Sequence, residues 1–451
     1  MSAPEAIVVG GGLAGLAAAI ELVDAGARVT LLEARARLGG ATWSTQLEGL
    51  QVDNGQHVFL RCCQAYRGFL RRLDVEDRIA LQSRLELPVL VPGGGRAWLR
   101  RHRLPSPAHL APSLLRYTPL SWRDRLRAAR AVQRLSGLDP RDPTVDATRL
   151  GDWLAAEFGN PEPLERFFEL LVRPTLNVPA REAGLGLVAF VFQRGLLEQP
   201  DAADIGWSTV PLSELHAGPA QALLRSAGAR VQLRSPVDAI EYGSAGRPAV
   251  RVQGTRLEAD VVVLAAPHEE TAALLPEAAG VDRAALQRLG RSPIVNLHVV
   301  YDRPVMAQPF VAAVGSPVEW VFDRTHSAGL AGGQYLALSL SAADAWMGRS
   351  RDELRCVFQP ALEALFPAAR HARTLQFFAT CERAATFHQG PGTLALRPGP
   401  RTALPGLFLA GAWTDTGWPA TMEGAVQSGV TAARLALASK ARTAAVPAEA
   451  A

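Results

Sequence analysis

The chain is almost without lysine. Lys440, close to the end, is the only one, and arginine carries nearly all the positive charge. Cysteine is scarce as well: Cys62, Cys63, Cys356 and Cys381 are the whole set. None stands in a CxxC pair and no Cys/His group has zinc spacing, so no metal ligand set is expected. Cys62 and Cys63 are adjacent and poorly placed to bond each other, which fits buried thiols in a reducing cytoplasm. No apolar stretch reaches about 18 residues, so no spanning helix is expected. The start carries only Glu5 before an apolar run broken by glycines, and it lacks the basic residues of a signal peptide. The net charge of +4 is slight, and no base-reading motif accompanies it. Nucleic acid is therefore not an expected partner. A mild basic excess still suits an anionic membrane surface, so the expected location is cytoplasmic, with peripheral contact at the inner membrane face left open.

What is present is apolar bulk. Hydrophobic residues make up 48% of 451, enough to bury two or three domains' worth of core. "AIVVGGGLAGLAAAIELVDAGARVTLLEARARLGG" carries the clearest local pattern. Ile7 to Val9 read as a buried strand. Gly10-x-Gly12-x-x-Gly15 opens a helix running to about Asp24, Gly26 ends it, and Val29 to Leu32 form the next parallel strand. Glu33 closes that strand where the hydroxyls of a ribose are expected. In such a βαβ unit Gly10 makes the turn, Gly12 admits a pyrophosphate, and Gly15 lets helix and strand pack. NAD and FAD both use this unit.

Arg37-Leu38-Gly39-Gly40 follows at once. This R-x-G-G resembles the extended FAD fingerprint of the amine oxidase and phytoene desaturase superfamily. The resemblance implies an α/β fold: a Rossmann-type FAD-binding domain with a discontinuous α+β substrate domain. It assigns residues 1–85, 205–290 and 396–440 to the FAD-binding domain, and 86–204 and 291–395 to the substrate domain. Residues 441–451 read as a loose tail. The ADP half of FAD is implied to rest on Gly10, Gly12, Leu13, Ala14, Gly15, Glu33, Arg37, Gly40, Ala41 and Thr42. The backbone at Val237 is implied to hold the adenine.

"FLAGAWTDTGWPATMEGAVQSG" reads as a strand, a tight turn and a helix starting near Thr421. The resemblance places the isoalloxazine half of FAD here, beside Gly411, Asp415 and Met422. Amine oxidases carry an aromatic residue before Met-Glu-Gly-Ala and a lysine that holds a water near the flavin. This chain has Thr421 and no suitable lysine. Ala412 also departs from the aspartate of many superfamily members, and whether Asp415 takes over that contact is left open.

Nearly the whole chain resembles, more narrowly, the squalene-associated FAD-dependent desaturase family. The matching stretches include "DNGQHVFLRCCQAYRGFLRRL", "LNVPAREA", "VPLSEL", "VVVLAAPHEETAALLP", "SPIVNLHVVYDRPV" and "VEWVFDRT". The resemblance implies hydroxysqualene dehydroxylation: an allylic hydroxyl leaves a C30 isoprenoid and a hydride from reduced FAD arrives. The sequence names no electron donor for the flavin. Two other functions stay open, a squalene or carotenoid-precursor desaturase with opposite electron flow, and a non-catalytic flavoprotein that escorts lipid. An amine or protoporphyrinogen oxidase is disfavoured by Thr421 and the missing lysine.

Loss of hydroxide needs a proton donor and a site shielded from water. His57, four residues after Asp53, is the candidate acid; the alternative is a histidine that only holds its own loop. Asp415 is the second catalytic candidate and Glu423 a rival, though Glu423 is expected to cap or pair at its own helix start. "PLSWRDRLRAARAVQRL" places Trp122, Leu126, Ala129 and Gln133/Val132 on one helical stripe, with Arg123, Arg127, Arg130 and Arg134 largely off it. It is either a basic amphipathic helix lying on a membrane or a cap helix with a solvated arginine face. Trp320, Phe322 and Phe190 to Phe192 line a lipid tunnel or belong to plain core.

Overall fold

The computed structural model describes residues 3–243 and 246–445. Five short parallel strands form the first layer. Their spatial order is Arg230–Gln232, Arg28–Leu32, Glu5–Val9, Val261–Leu264 and Leu407–Leu409. These strands are continuous apolar runs because both faces are covered. Val8, Leu31, Val262, Val263 and Leu409 are fully buried.

Helix Leu13–Asp24 and helix Met422–Ala445 pack together on one face of the sheet. Alanine and glycine set how closely they approach. A Cβ added to Gly429 would lie 2.0 Å from the Ala14 carbonyl oxygen and 3.0 Å from the Ala18 amide. The last helix runs on to Ala445, so the expected loose tail begins too early. Residues 446–451 lie outside the described residues. On the other face an antiparallel meander (Val237–Tyr242, Pro248–Val252, Thr255–Glu258) encloses a second apolar cluster with Ile7, Val250 and Leu264.

A seven-stranded sheet forms the other main body. Its order is Thr374–Thr386, Ser292–Tyr301, Gln334–Ser341, Trp320–Asp323, Phe310–Ala313, Glu86–Val91 and Gly95–Arg100. All neighbours are antiparallel except Phe310–Ala313, which pairs with Glu86–Val91 in parallel. A parallel pair needs a long crossover, and here more than two hundred residues intervene. Helices from residues 111–192 cover one face, burying Leu135, Leu150, Phe168 and Phe192. Helix Arg351–Leu365, opened by the Ser350/Glu353 capping box, covers part of the other with Leu354, Phe358 and Leu362. A three-stranded ribbon of Val58–Leu60, Ile205–Ser208 and Ile79–Leu81 completes the described sheets beside these two bodies and the hairpin Ser44–Leu47/Leu50–Asp53.

Candidate functional site

The first strand ends in a turn that tolerates no side chains. Gly10 has φ +109°, and a Cβ on it would come 2.5 Å from the Ala265 carbonyl oxygen. A Cβ on Gly15 would lie 1.8 Å from the carbonyl oxygen of Gly10, inside bonding contact. Gly12 stands at the helix N-terminus and no side chain caps it. The amides of the first turn, at Leu13, Ala14 and Gly15, are thus available to an anion, with the helix dipole behind them.

The R-x-G-G loop packs against this turn. The Gly39 amide donates to the Gly11 carbonyl at 2.8 Å, and a Cβ on Gly40 would sit 2.7 Å from Gly12 Cα. Arg37 lies over the Trp43 ring at 3.9 Å and donates to the Gly40 carbonyl at 3.3 Å. Thr42 is buried, its hydroxyl donating to the Gly39 carbonyl at 2.9 Å, while Ala41 is exposed. Glu33 is buried at the end of the second strand. One carboxylate oxygen accepts from the Gly11 amide and the other from the Arg35 amide, both at 2.7 Å. Each oxygen keeps a lone pair for a ribose hydroxyl. The Ser235 amide donates to the Glu33 carbonyl at 2.9 Å, which brings Val237 to the same corner.

The C-terminal stretch is a second close-approach turn. Gly411 has φ +148°, and a Cβ there would lie 2.3 Å from Trp413 Nε1. Its amide donates to Ser428 Oγ at 2.8 Å. Arg397, which sequence reasoning did not single out, holds this turn from below. Its buried guanidinium donates to the carbonyls of Ala412 at 3.1 Å, Trp413 at 3.3 Å, and Thr414. Burial pushes its pKa down to about 10, and its Nη1 has no partner. Thr421 takes the N-cap role: its hydroxyl accepts from the Gly424 amide at 3.2 Å just before Met422 opens the helix.

Two acidic candidates are occupied elsewhere. Glu423 pairs on its own helix, as expected, accepting from Gln427 Nε2 at 2.9 Å, and it does more. Its carboxylate crosses to helix Gln64–Arg72 and accepts from the amides of Ala65 at 3.0 Å and Tyr66 at 2.7 Å. A buried carboxylate against free N-terminal amides is the favourable end of a helix-dipole contact. Asp415 is half-buried and takes two hydrogen bonds from Arg141, at 3.1 and 3.2 Å. Both its oxygens act as acceptors, and it tethers the turn to the helical region.

His57 lies on a loop pinned between the R-x-G-G region and the substrate sheet. Asn54 does the pinning. Its side chain accepts from the Trp43 amide at 3.0 Å and donates to the Ala41 carbonyl at 2.8 Å. Its own carbonyl accepts from Asn296 Nδ2, on the long sheet strand, at 2.9 Å. Asp53 is a structural anchor: it accepts from Ser44 Oγ at 2.6 Å, the Leu212 amide at 3.0 Å and Arg324 Nη2 at 2.7 Å. His57 Nδ1 faces the Gly55 carbonyl at 3.1 Å. With Nδ1–H donating there, Nε2 is the free nitrogen. Desolvation pushes the imidazole below its ordinary 6.5, with Asp53 and Glu382 opposing and Arg324 assisting. Nearby, fully buried His216 pairs its Nε2 with the Tyr66 hydroxyl at 2.7 Å, leaves Nδ1 without a partner and is pushed down to about 3 by burial. The aromatic candidates divide. Phe192 is core, Trp320 and Phe322 stack inside the sheet's apolar cluster, and Phe190 meets Trp418 edge-on at 5.3 Å beside the second turn.

Around the His57 loop the buried Trp43 Nε1, Gln56 Nε2 and Asn296 Oδ1 also lack partners. Buried polar atoms without partners cost stability unless a ligand or water meets them. They fit a polar ring system held between two glycine turns and one sheet.

A sequence profile of the family "Flavin containing amine oxidoreductase" matches residues 13–437. The chain belongs to this family. FAD is accordingly its cofactor and oxidoreduction its class of chemistry. Among its relatives, a hydroxysqualene dehydroxylase of Rhodopseudomonas palustris is 30% identical, with 96% of this chain and 98% of that one covered. The Sinorhizobium fredii hydroxysqualene dehydroxylase is 29% identical, covering 95% and 97%. The 15-cis-phytoene desaturase of Glycine max is 25% identical, covering 94% of this chain but 77% of its own. In fold the chain matches putrescine oxidase with bound putrescine, at TM-score 0.74, 18% identity and coverage of 97% and 99%. Cyclohexylamine oxidase from Brevibacterium oxydans gives TM-score 0.73 at 20% identity, covering 98% and 100%. The flavoprotein architecture of a Rossmann-like region beside a β-sheet substrate domain is therefore shared across the family.

In this flavoprotein Glu33→Ala is expected to weaken FAD binding by about 1.5–3 kcal/mol, the loss of a charge-assisted pair. Turnover per bound flavin should stay within a few-fold. A fluorescence titration of the apoprotein with FAD reads the first quantity. A hundredfold loss of turnover at unchanged affinity would place Glu33 elsewhere.

Proposed function

We propose that the protein is a hydroxysqualene dehydroxylase, acting on a C30 isoprenoid alcohol to give squalene for hopanoid-type lipid synthesis. The observation that carries this reading is coverage of both chains from end to end: 98% and 97% of the two dehydroxylases, against 77% of the phytoene desaturase. Two local features agree with it. The position of an amine-caging aromatic is Thr421, a helix cap, and the only lysine is Lys440.

Bound FAD in its reduced form supplies the hydride. The rest falls to the chain. The substrate's allylic hydroxyl needs a proton, and protonated His57 Nε2 is the group positioned to give one at the edge of the cofactor loop. The cation left behind needs walls without nucleophiles, which the Phe190–Trp418 pair offers. Arg397 fixes the turn by binding three successive carbonyls.

The deciding experiment is anaerobic. Photoreduced enzyme mixed with hydroxysqualene should yield squalene while the flavin reoxidises, in equal amounts. Reduction of oxidised enzyme by squalene, with no squalene formed from the alcohol, would favour the desaturase instead. Absence of any turnover would favour a lipid escort.

The flavin should also be held without a covalent bond, since Trp413–Met422 contains no cysteine or histidine. Acid precipitation should release all the yellow colour into the supernatant. Colour retained in the pellet would overturn this.

A further inference from the structure

The described residues expose six large apolar side chains, and four of them, Leu104, Leu115, Trp122 and Leu126, fall in one stretch. Trp122 is 65% exposed, Leu115 61% and Leu126 50%. They are not scattered. Arg125 donates to the carbonyl of Leu115, and to that of Leu120 at 3.0 Å, drawing the end of helix Ala111–Leu115 against the start of helix Trp122–Ser136. The second helix has two apolar stripes. Ala128, Ala131 and Leu135 turn inward onto the cluster that holds Phe168 and Phe192. Trp122, Leu126 and Ala129 turn outward.

The charge around this outward stripe is of one sign. Residues 96–136 hold ten arginines and one acidic residue, Asp124, in a chain whose net charge is +4. Asp124 is already taken by Arg127 at 2.7 Å and by the helix cap Ser121. Arg134 pairs with Glu157 at 2.8 Å. Arg116, Arg123 and Arg130 are exposed and have no carboxylate partner among the described residues. Guanidinium groups beside an outward tryptophan and two leucines match a phase boundary: acyl chains for the apolar side chains, anionic headgroups for the arginines. No helix among the described residues is long and apolar enough to cross a membrane, so this contact lies along the surface.

We infer that Leu115, Trp122 and Leu126 seat the protein on the surface of a bilayer containing anionic lipid, with Arg116, Arg123 and Arg130 facing its headgroups. The inference stands apart from the reaction proposed above, because it concerns a surface and is tested without turnover.

The test is co-sedimentation of the FAD-loaded full chain with vesicles of phosphatidylcholine, with and without phosphatidylglycerol. Binding is expected only with phosphatidylglycerol present, and it should fall as salt rises. Trp122→Glu with Leu126→Glu should weaken it at least tenfold. Arg123→Gln with Arg130→Gln should weaken it about thirtyfold, from the charge term of the two arginines. Both variants alter exposed side chains, and an unchanged flavin absorbance and melting temperature confirm that they are folded. A brominated lipid should quench fluorescence of the wild type and lose most of that quenching in Trp122→Phe. Equal binding to neutral vesicles, undiminished binding by both double variants, or no sedimentation at all would overturn the inference. So would concentration-dependent dimers abolished by Trp122→Glu in the absence of any vesicle binding, since the stripe would then meet a second copy.

Discussion

With the proposed dehydroxylase reaction, His57→Ala is expected to slow reoxidation of the reduced flavin by hydroxysqualene by about 10²–10⁴-fold, the range for a lost general acid. FAD content changes little, because the loop is held by Asn54 and Asp53 rather than by the imidazole. The pH dependence has a definite sign. Desolvation holds the His57 imidazole below 6.5, so the protonated, proton-giving form is the minority at pH 7 and grows as pH falls. The wild-type rate should therefore climb from pH 8 towards pH 5 and level off below the imidazole's own pKa. His57→Gln should flatten that climb. Stopped-flow absorbance of the flavin reads both. A near-normal rate with an unchanged pH profile in either variant would leave His57 only its bond to the Gly55 carbonyl.

Arg324→Met is expected to lower the stability of the folded chain by about 3–5 kcal/mol, the cost of leaving one member of a buried ion pair alone. Asp53 and Arg324 are both buried, 2.7 Å apart, and lie 271 positions apart in sequence. Arg324 also donates to the Ser208 carbonyl at 2.8 Å, so its removal unties the hairpin and the ribbon strand together. Asp53→Asn combined with Arg324→Met should recover much of the loss, because no unpaired charge remains. Urea denaturation at fixed FAD concentration measures both variants. A single variant within about 1 kcal/mol of wild type would mean that water reaches this pair.

The nucleotide half was readable because its signals are local. Strand, glycine turn, helix and acidic strand end fall within about thirty residues, and each follows from short-range sterics. The second half of the site was less so, since its contacts span the chain. Glu423 pairs locally with Gln427, but it also serves a helix that lies 357 residues earlier. Asp415 reads as a second catalytic candidate beside the flavin, and nothing local names Arg141 as its partner. Arg324 was not singled out in the sequence, where nothing names Asp53 as its partner. Helix Trp122–Ser136 shows the limit of periodicity. Its repeat shows one stripe, Trp122, Leu126, Ala129 and Gln133/Val132, and does not say whether that stripe faces a membrane or the protein. The fold buries alanines instead, since small side chains let the helix approach its neighbours closely.

The glycine seat between the first and last helices sets a timetable for biogenesis. The groove at Ala14 and Ala18 leaves the ribosome long before the residue that fills it, Gly429, which follows about four hundred residues later. At about 5–20 residues per second the wait is roughly 20–80 s. Through that interval the nascent nucleotide domain lacks its final strand and its second helix, with alanine-rich surface open to other chains. The close seat of the last helix on the first can therefore form only once Gly429 has been made.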